Sequence, residues 1–351
     1  MKPQWIETGA RGVDESVEQR AIERQQILTK PAGSLGQLEA VAVRMAGLQG
    51  SERPQVNDVQ IVVFAADHGV AAEGVSLFPQ AVTAEMIRNF ARGGAAISVA
   101  ARSLGARLEV VDVGAAVEIE PLPGVVRQRV ADGTENLAHR AAMSERQLVE
   151  ALEAGRQAVD RASTRGVQLF IGGEMGIANT TSAAALACSI LDEMPERLAG
   201  PGTGFDEAGV RHKADVIKRA LGTHAHAAGD AWESLRCLGG FEIAALVGAY
   251  LSCAQRGIPV LVDGYICISA ALVAQRLQPS VEPWLLYAHT SAEPEYARIA
   301  QALQIDPLLN LGMRLGEGSG AAVTVPLIRM ACALHNEMAT FAEAGVSESN
   351  A

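Results

Sequence analysis

The chain is short of positive charge: 29 Lys and Arg stand against 40 Asp and Glu, a net charge of −11 over 351 residues. It carries no basic tract. That excludes nucleic acid and anionic membrane surfaces as partners. Any anionic ligand must be held by local dipoles and a few lysines or arginines. Cysteine is equally sparse. The five residues, Cys188, Cys237, Cys253, Cys267 and Cys332, form no C-x-x-C pair, and most sit in apolar surroundings. An odd set of that kind predicts buried, reduced thiols and argues against disulfides and a zinc site. No apolar run reaches the roughly 18 residues of a membrane-spanning helix. Met1-Lys2-Pro3-Gln4-Trp5 is polar and lacks the apolar core of a secretion signal, so a cytoplasmic location is expected. Internal repeats are missing too.

Several motifs are also absent. No Gly-Lys-Ser/Thr closes a phosphate loop, no G-x-G-x-x-G follows the first apolar run, and no G-x-S-x-G elbow occurs. Asp67 and His68 find no third ligand at metal spacing. His224 and His226, in an alanine-rich segment, read as structural or exposed rather than as ligands. No metal and no cofactor are expected.

What is present is apolar and alternating. Hydrophobic residues make up 49% of the chain, enough for a large core. Apolar runs of strand length at 59–65, 106–113, 167–171, 259–262 and 284–288 alternate with helical patterns at 83–101, 144–165, 180–191, 206–221, 241–256 and 269–276. This predicts an α/β fold: a doubly wound, mostly parallel, Rossmann-like sheet with helices on both faces. Residues 51–320 would form the large α/β domain. Helical patterns at 17–27 and 38–48, with a last one at 321–344 that Pro326 would kink or delay, would make a small helical domain from 1–50 and about 321–351.

The strands end in polar residues and glycines: Asp67-His68-Gly69, Gly172-Gly173-Glu174, Asp263-Gly264 and His289-Thr290-Ser291. Parallel sheets bind ligands outside those ends. Gly172-Gly173-Glu174-Met175-Gly176-Ile177-Ala178-Asn179-Thr180-Thr181 runs from strand to helix. It offers free N–H groups for a phosphate; simple capping by Asn179 or Thr180 is the plainer alternative. Gly200-Pro201-Gly202-Thr203-Gly204-Phe205-Asp206 opens a second helix, with Lys213 two turns in, either reaching back or solvated. Phe78, Met86 and Leu315 could wall a flat aromatic ligand, or simply pack. Arg314-Leu315-Gly316-Glu317-Gly318-Ser319-Gly320 sets one carboxylate among glycines. Glu317 is either a solvated turn residue or a base presented to a ligand.

Taken in order, these motifs resemble the nicotinate-nucleotide–dimethylbenzimidazole phosphoribosyltransferase family. The resemblance includes Lys30-Pro31-Ala32-Gly33-Ser34-Leu35-Gly36, the loop from Asp67 to Phe78-Pro79-Gln80, Asn89-Phe90 with Gly93-Gly94, both glycine loops with Lys213, Val260-Leu261-Val262-Asp263-Gly264, and 311–321. It departs at Ala178, where glycine is usual, at Pro201, where arginine is common, and at Pro294-Glu295-Tyr296. The resemblance implies transfer of the phosphoribosyl group of nicotinate mononucleotide to 5,6-dimethylbenzimidazole, with Glu317 as general base and Glu174 as a second carboxylate stabilising positive charge. It implies phosphate and ribose contacts from Gly176, Asn179, Thr180, Gly202, Gly204, Lys213 and Ser291. Base contacts would come from Phe78, Gln80, Met86 and Leu315, and the protein would be a homodimer. Two other readings stay open: a nicotinamide-dependent oxidoreductase, suggested only by the fold pattern, and a nucleotide-binding sensor without turnover.

Overall fold

The computed structural model describes residues 2–202 and 204–347; Thr203 of the second glycine loop and the last four residues of the expected terminal domain lie outside them. The elements run α1 (Glu15–Ile27), α2 (Gln37–Gln49), β1 (Val59–Ala66), α3 (Ala81–Arg92), α4 (Ala96–Leu104), β2 (Arg107–Gly114), β3 (Val125–Arg127), α5 (Glu145–Ser163) and β4 (Leu169–Met175). They continue with α6 (Asn179–Leu191), α7 (Pro195–Leu198), α8 (Glu207–Thr223), α9 (Ala231–Leu238), α10 (Phe241–Arg256), β5 (Val260–Val262), α11 (Tyr265–Leu277) and β6 (Leu285–Tyr287). The last are α12 (Tyr296–Ala302), α13 (Ser319–Glu337) and α14 (Phe341–Ala344).

One sheet organises them. Its order is β3-β2-β1-β4-β5-β6, and every pairing is parallel. The order reverses between β1 and β4, the switch point at which such sheets leave a crevice. β1 and β4 are buried along nearly their whole length, as strands covered on both faces must be. Helices α5, α10 and α11 pack on one face; α3, α4 and α13 pack on the other. The approach of α5 to α10 depends on glycine. A Cβ on Gly155 would stand 1.8 Å from the Ala245 carbonyl oxygen, and one on Gly248 would stand 2.0 Å from that of Leu152.

Three expectations need correction. The helix expected over 83–101 is two helices: Gly93, at φ +82°, ends α3 in a left-handed cap before α4 begins. The helix expected from Ser269 starts earlier, at Tyr265, directly after the strand. The last long helix starts at Ser319, runs through Pro326 and stops at Glu337, with α14 a separate turn behind a Thr340–Glu343 capping box. The short edge strand β3 and helices α7, α9 and α12 had no counterpart in the sequence pattern.

The terminal segments meet. α2 packs on both α1 and α13, Leu28 bridges Thr340, and the Arg24 guanidinium donates to the His335 carbonyl at 2.8 Å. Val41, Met45 and Leu48 of α2 join the same apolar core as the sheet. No described helix is long and apolar enough to cross a membrane.

Candidate active site

A cavity of about 410 Å³ opens over the carboxyl ends of β4, β5 and β6, within the usual range for small-molecule sites. Its walls bring together ten of the residues expected from the sequence: Glu174, Gly176, Asn179, Thr180, Gly202, Ser291, Phe78, Met86, Leu315 and Glu317. Gly204, Lys213 and Gln80 do not line it. Gln80 turns its amide to the His68 carbonyl at 3.0 Å, and Gly204 is exposed. Asp263, His289, Glu293 and Arg314 do line it, and had not been singled out as site residues. Their signal was present in part: Asp263 and His289 follow two of the strands.

Glu317 sits on an unusual backbone. Gly316, Glu317 and Gly318 are all left-handed, at φ +88°, +64° and +86°. Glycine adopts that region freely, whereas a glutamate there is strained by about 1–2 kcal/mol. The strain is overcome by fixed contacts. The Asp263 carboxylate accepts from the Gly318 N–H at 3.2 Å and the Ala321 N–H at 2.8 Å, tying the loop and the start of α13 to the end of β5. The Glu317 carboxylate is buried, and its Oε2 accepts from the Ile97 N–H at 3.2 Å, in the first turn of α4. Its Oε1 has no hydrogen-bond partner among the described residues. Burial raises its pKa above the ordinary value, opposed by the Ile97 N–H, and the nearby Asp263 charge raises it further.

Glu174 ends β4 beneath this loop. The Asn179 side-chain amide donates to its Oε2. A Cβ on Gly316 would meet the Glu174 Oε1 at 2.4 Å, so the carboxyl group lies directly against the loop backbone. Burial, with the charges of Glu242 and Asp263, pushes its pKa up to about 8. That burial favours the protonated, neutral form of the carboxyl group.

The β4–α6 turn is built for close approach. Ala178 holds φ +75°, a conformation natural to the glycine expected there. A Cβ on Gly176 would stand 2.4 Å from the Ala66 carbonyl oxygen. Thr83 stitches the turn to β1: its hydroxyl donates to Asp67 at 2.7 Å and accepts from the Ile177 N–H at 3.2 Å. Asp67 and His68 are thus framework. His68 contacts Ser182 at 2.8 Å and Glu242 at 2.7 Å, fully buried. The N-terminus of α6 faces the cavity through Asn179 and Thr180.

Lys213 stands behind the second glycine loop rather than in solvent. Its ammonium donates to Thr180 Oγ1 and to the Gly200 carbonyl, both at 3.0 Å. Burial lowers its pKa, while Glu293 and Glu295 oppose the shift. A Cβ on Gly202 would come within 3.1 Å of that nitrogen, so only the bare loop separates it from the cavity. Arg314 closes the same corner by donating to the Gly202 carbonyl at 3.3 Å. Next to it Glu293 is held above the ordinary carboxylate range by burial.

The cavity lining therefore combines two kinds of group. The α6 N-terminus, Arg314 and the lysine behind Gly202 suit an anion. Glu174, Asp263 and Glu317, with the apolar Phe78, Met86 and Leu315, suit a flat ring that carries or develops positive charge.

A family model described as phosphoribosyltransferase matches residues 10–346. The chain is 60% identical over 348 residues to the nicotinate-nucleotide–dimethylbenzimidazole phosphoribosyltransferase of Pseudomonas aeruginosa strain UCBPP-PA14, covering 99% of both chains. It is 60% identical to the protein of that name from Pseudomonas putida strain W619, again over 99% of each. The crystal structure of the Thermus thermophilus protein with that name superposes with a TM-score of 0.91 at 42% identity, covering 96% of this chain and 100% of that one. The chain belongs to the nicotinate-nucleotide–dimethylbenzimidazole phosphoribosyltransferase family of enzymes.

Proposed function

We propose that the chain transfers the phosphoribosyl group of nicotinate mononucleotide to 5,6-dimethylbenzimidazole, giving α-ribazole 5′-phosphate and nicotinate for assembly of the cobalamin nucleotide loop. The names of the relatives supply the substrates. The observation that carries the mechanism is Glu317, a buried carboxylate with one oxygen held by Ile97 and the other unpaired beside the cavity.

The chemistry needs one base. A ring nitrogen of the benzimidazole attacks C1′ of the ribose with its lone pair. The bond from C1′ to the pyridinium nitrogen breaks, and its electrons neutralise that ring, so the leaving group needs no acid. The other benzimidazole nitrogen loses its proton to Glu317. Attack opposite the leaving group converts the β to the α configuration in one displacement, with both substrates aligned in one cavity. The α6 N-terminus, Thr180, the Gly202 loop, Arg314 and Ser291 would hold the 5′-phosphate and ribose, with Lys213 supplying charge through the loop. Glu174, releasing its proton to solvent as the pyridinium binds, would then stabilise positive charge on the ribosyl group.

A cytoplasmic homodimer belongs to the same proposal. Leu77, Phe78, Leu311 and Leu315 are each about half exposed. Phe78 and Leu315 also line the cavity, giving an apolar rim that a second copy would cover. Sedimentation tests that part. Incubating the purified chain with nicotinate mononucleotide and 5,6-dimethylbenzimidazole, followed by chromatography, tests the reaction. Release of nicotinate with matching α-ribazole 5′-phosphate is expected. Binding of both without nicotinate release would leave a sensor.

A further inference from the structure

Three side chains away from the catalytic cavity bring soft donor atoms to one point. His224 follows the end of α8, His226 lies in the short turn Ala225–Ala227, and Cys237 lies in α9. One donor atom from each falls within 4.8 Å of the other two. None of the three lines the cavity. No spacing along the chain hints at the group, because the histidine pair and the cysteine belong to different elements that only the fold brings together.

The spacing fits a metal. Cys237 Sγ stands 3.8 Å from His226 Nε2. With Zn–S near 2.3 Å and Zn–N near 2.0–2.1 Å, a tetrahedral ion holds the two donors about 3.6 Å apart. A second observation concerns the buried His224 ring. Its Nε2 lies 3.0 Å from the Leu137 carbonyl oxygen. A carbonyl only accepts, so Nε2 carries the hydrogen and the lone pair falls on Nδ1. A ring pinned by an N–H to a backbone carbonyl is the usual setting of a metal-ligating histidine. Glu233, one turn before Cys237, has its carboxylate 3.9 Å from His226 Nε2, while Arg236 holds it at 2.7 Å.

We propose that His224, His226 and Cys237 form a Zn²⁺ site that clips the end of α8 to α9, with a fourth position open to water beside Glu233. One thiolate and two imidazoles suit zinc, whereas Mg²⁺ and Ca²⁺ take oxygen donors. On binding, the Zn–S bond forms as the S–H proton leaves to solvent. Both imidazoles bind neutral, and no electron is transferred. The site touches none of the residues assigned to phosphoribosyl transfer, so it stands or falls independently of that reading.

The test uses the tag-free chain, stripped with chelator and titrated with Co²⁺ as a visible substitute, then with Zn²⁺ in competition. One equivalent should bind, with tetrahedral d–d bands and a thiolate-to-cobalt charge-transfer band that Zn²⁺ abolishes. Cys237→Ser should remove the charge-transfer band. His226→Ala should weaken binding at least about tenfold, the lower end of the cost of altering a zinc site's surroundings. The His226 side chain is 59% exposed, so this variant folds and decides the question even if Cys237→Ser does not fold. Cys332→Ala and His139→Ala should leave titration and spectrum unchanged. Absence of stoichiometric binding, a charge-transfer band that survives Cys237→Ser, or unchanged affinity in His226→Ala would each overturn the site.

Discussion

The carbonyl oxygen of Glu317 occupies the space a side chain on Gly173 would need: a Cβ there would stand 2.2 Å from it. The loop that carries Glu317 thus rests directly on the backbone of β4. Gly173→Ala should push the loop away from the crevice. The clash is with backbone, so relaxation is limited and a cost of about 1–3 kcal/mol is expected. Thermal denaturation should show that loss, and kcat should fall far more than the small drop in folded fraction explains.

Glu317→Gln keeps the side chain's shape and its bond from Ile97 but removes the base. In the chromatographic assay kcat should fall about 10²- to 10⁴-fold, with KM for nicotinate mononucleotide nearly unchanged. Turnover at the parental rate would exclude Glu317 from proton transfer. The raised pKa adds a pH signature: the acidic limb of kcat/KM should lie above the ordinary glutamate value.

Glu174 predicts a stability signature. Burial and the neighbouring carboxylates raise its folded pKa to about 8 from an ordinary 4.5. Between those values the folded chain holds a proton that the unfolded chain has lost. Its contribution is complete below the unfolded value and declines as pH rises toward about 8, by about 1.4 kcal/mol per pH unit at most. Glu174→Gln cannot ionise and should flatten this slope. Urea denaturation of both proteins between about pH 5 and pH 8 measures it; parallel slopes would contradict the shift.

Asp263→Asn leaves one accepting oxygen where the carboxylate accepts from both Gly318 and Ala321. The amide NH₂ would then face a backbone donor. A loss of about 1–3 kcal/mol is expected. A lower kcat should accompany the lower melting temperature, because the same bonds hold the Glu317 loop.

Ala178→Gly should stabilise the chain. Ala178 is at φ +75°, where a Cβ costs about 1–2 kcal/mol, while glycine costs about 0.5–1 kcal/mol in unfolded-state entropy. A net gain of up to about 1.5 kcal/mol should appear as a raised melting temperature.

Much of the sheet was legible because buried parallel strands read as short apolar runs, and the polar residues at their ends marked the crevice. The edge strand β3 escaped because Val125, Val126 and Arg127 are too few to form a pattern. The break between α3 and α4 was hidden by the alanines around Gly93 and Gly94. Within the site, Glu317 and Glu174 stood out by their glycine settings. The coupling between them did not, because Glu174 reaches the 316–317 backbone only through the fold. Lys213 could be assigned to the second glycine loop, but not its position behind Gly202, since sequence spacing does not give a side chain's direction. Gln80 illustrates the same limit, its amide having turned back to the His68 carbonyl.

Helix α13 begins at the Glu317 loop and ends against the α1–α2 pair, 19 residues later. At 1.5 Å per residue it is a strut about 28 Å long. The terminal helices contribute no atom to the cavity, yet they brace the far end of the rod on which the reacting loop is mounted. Changes at the Arg24–His335 contact would therefore be felt as a tilt of that rod, and catalysis would register damage on a surface that no substrate visits.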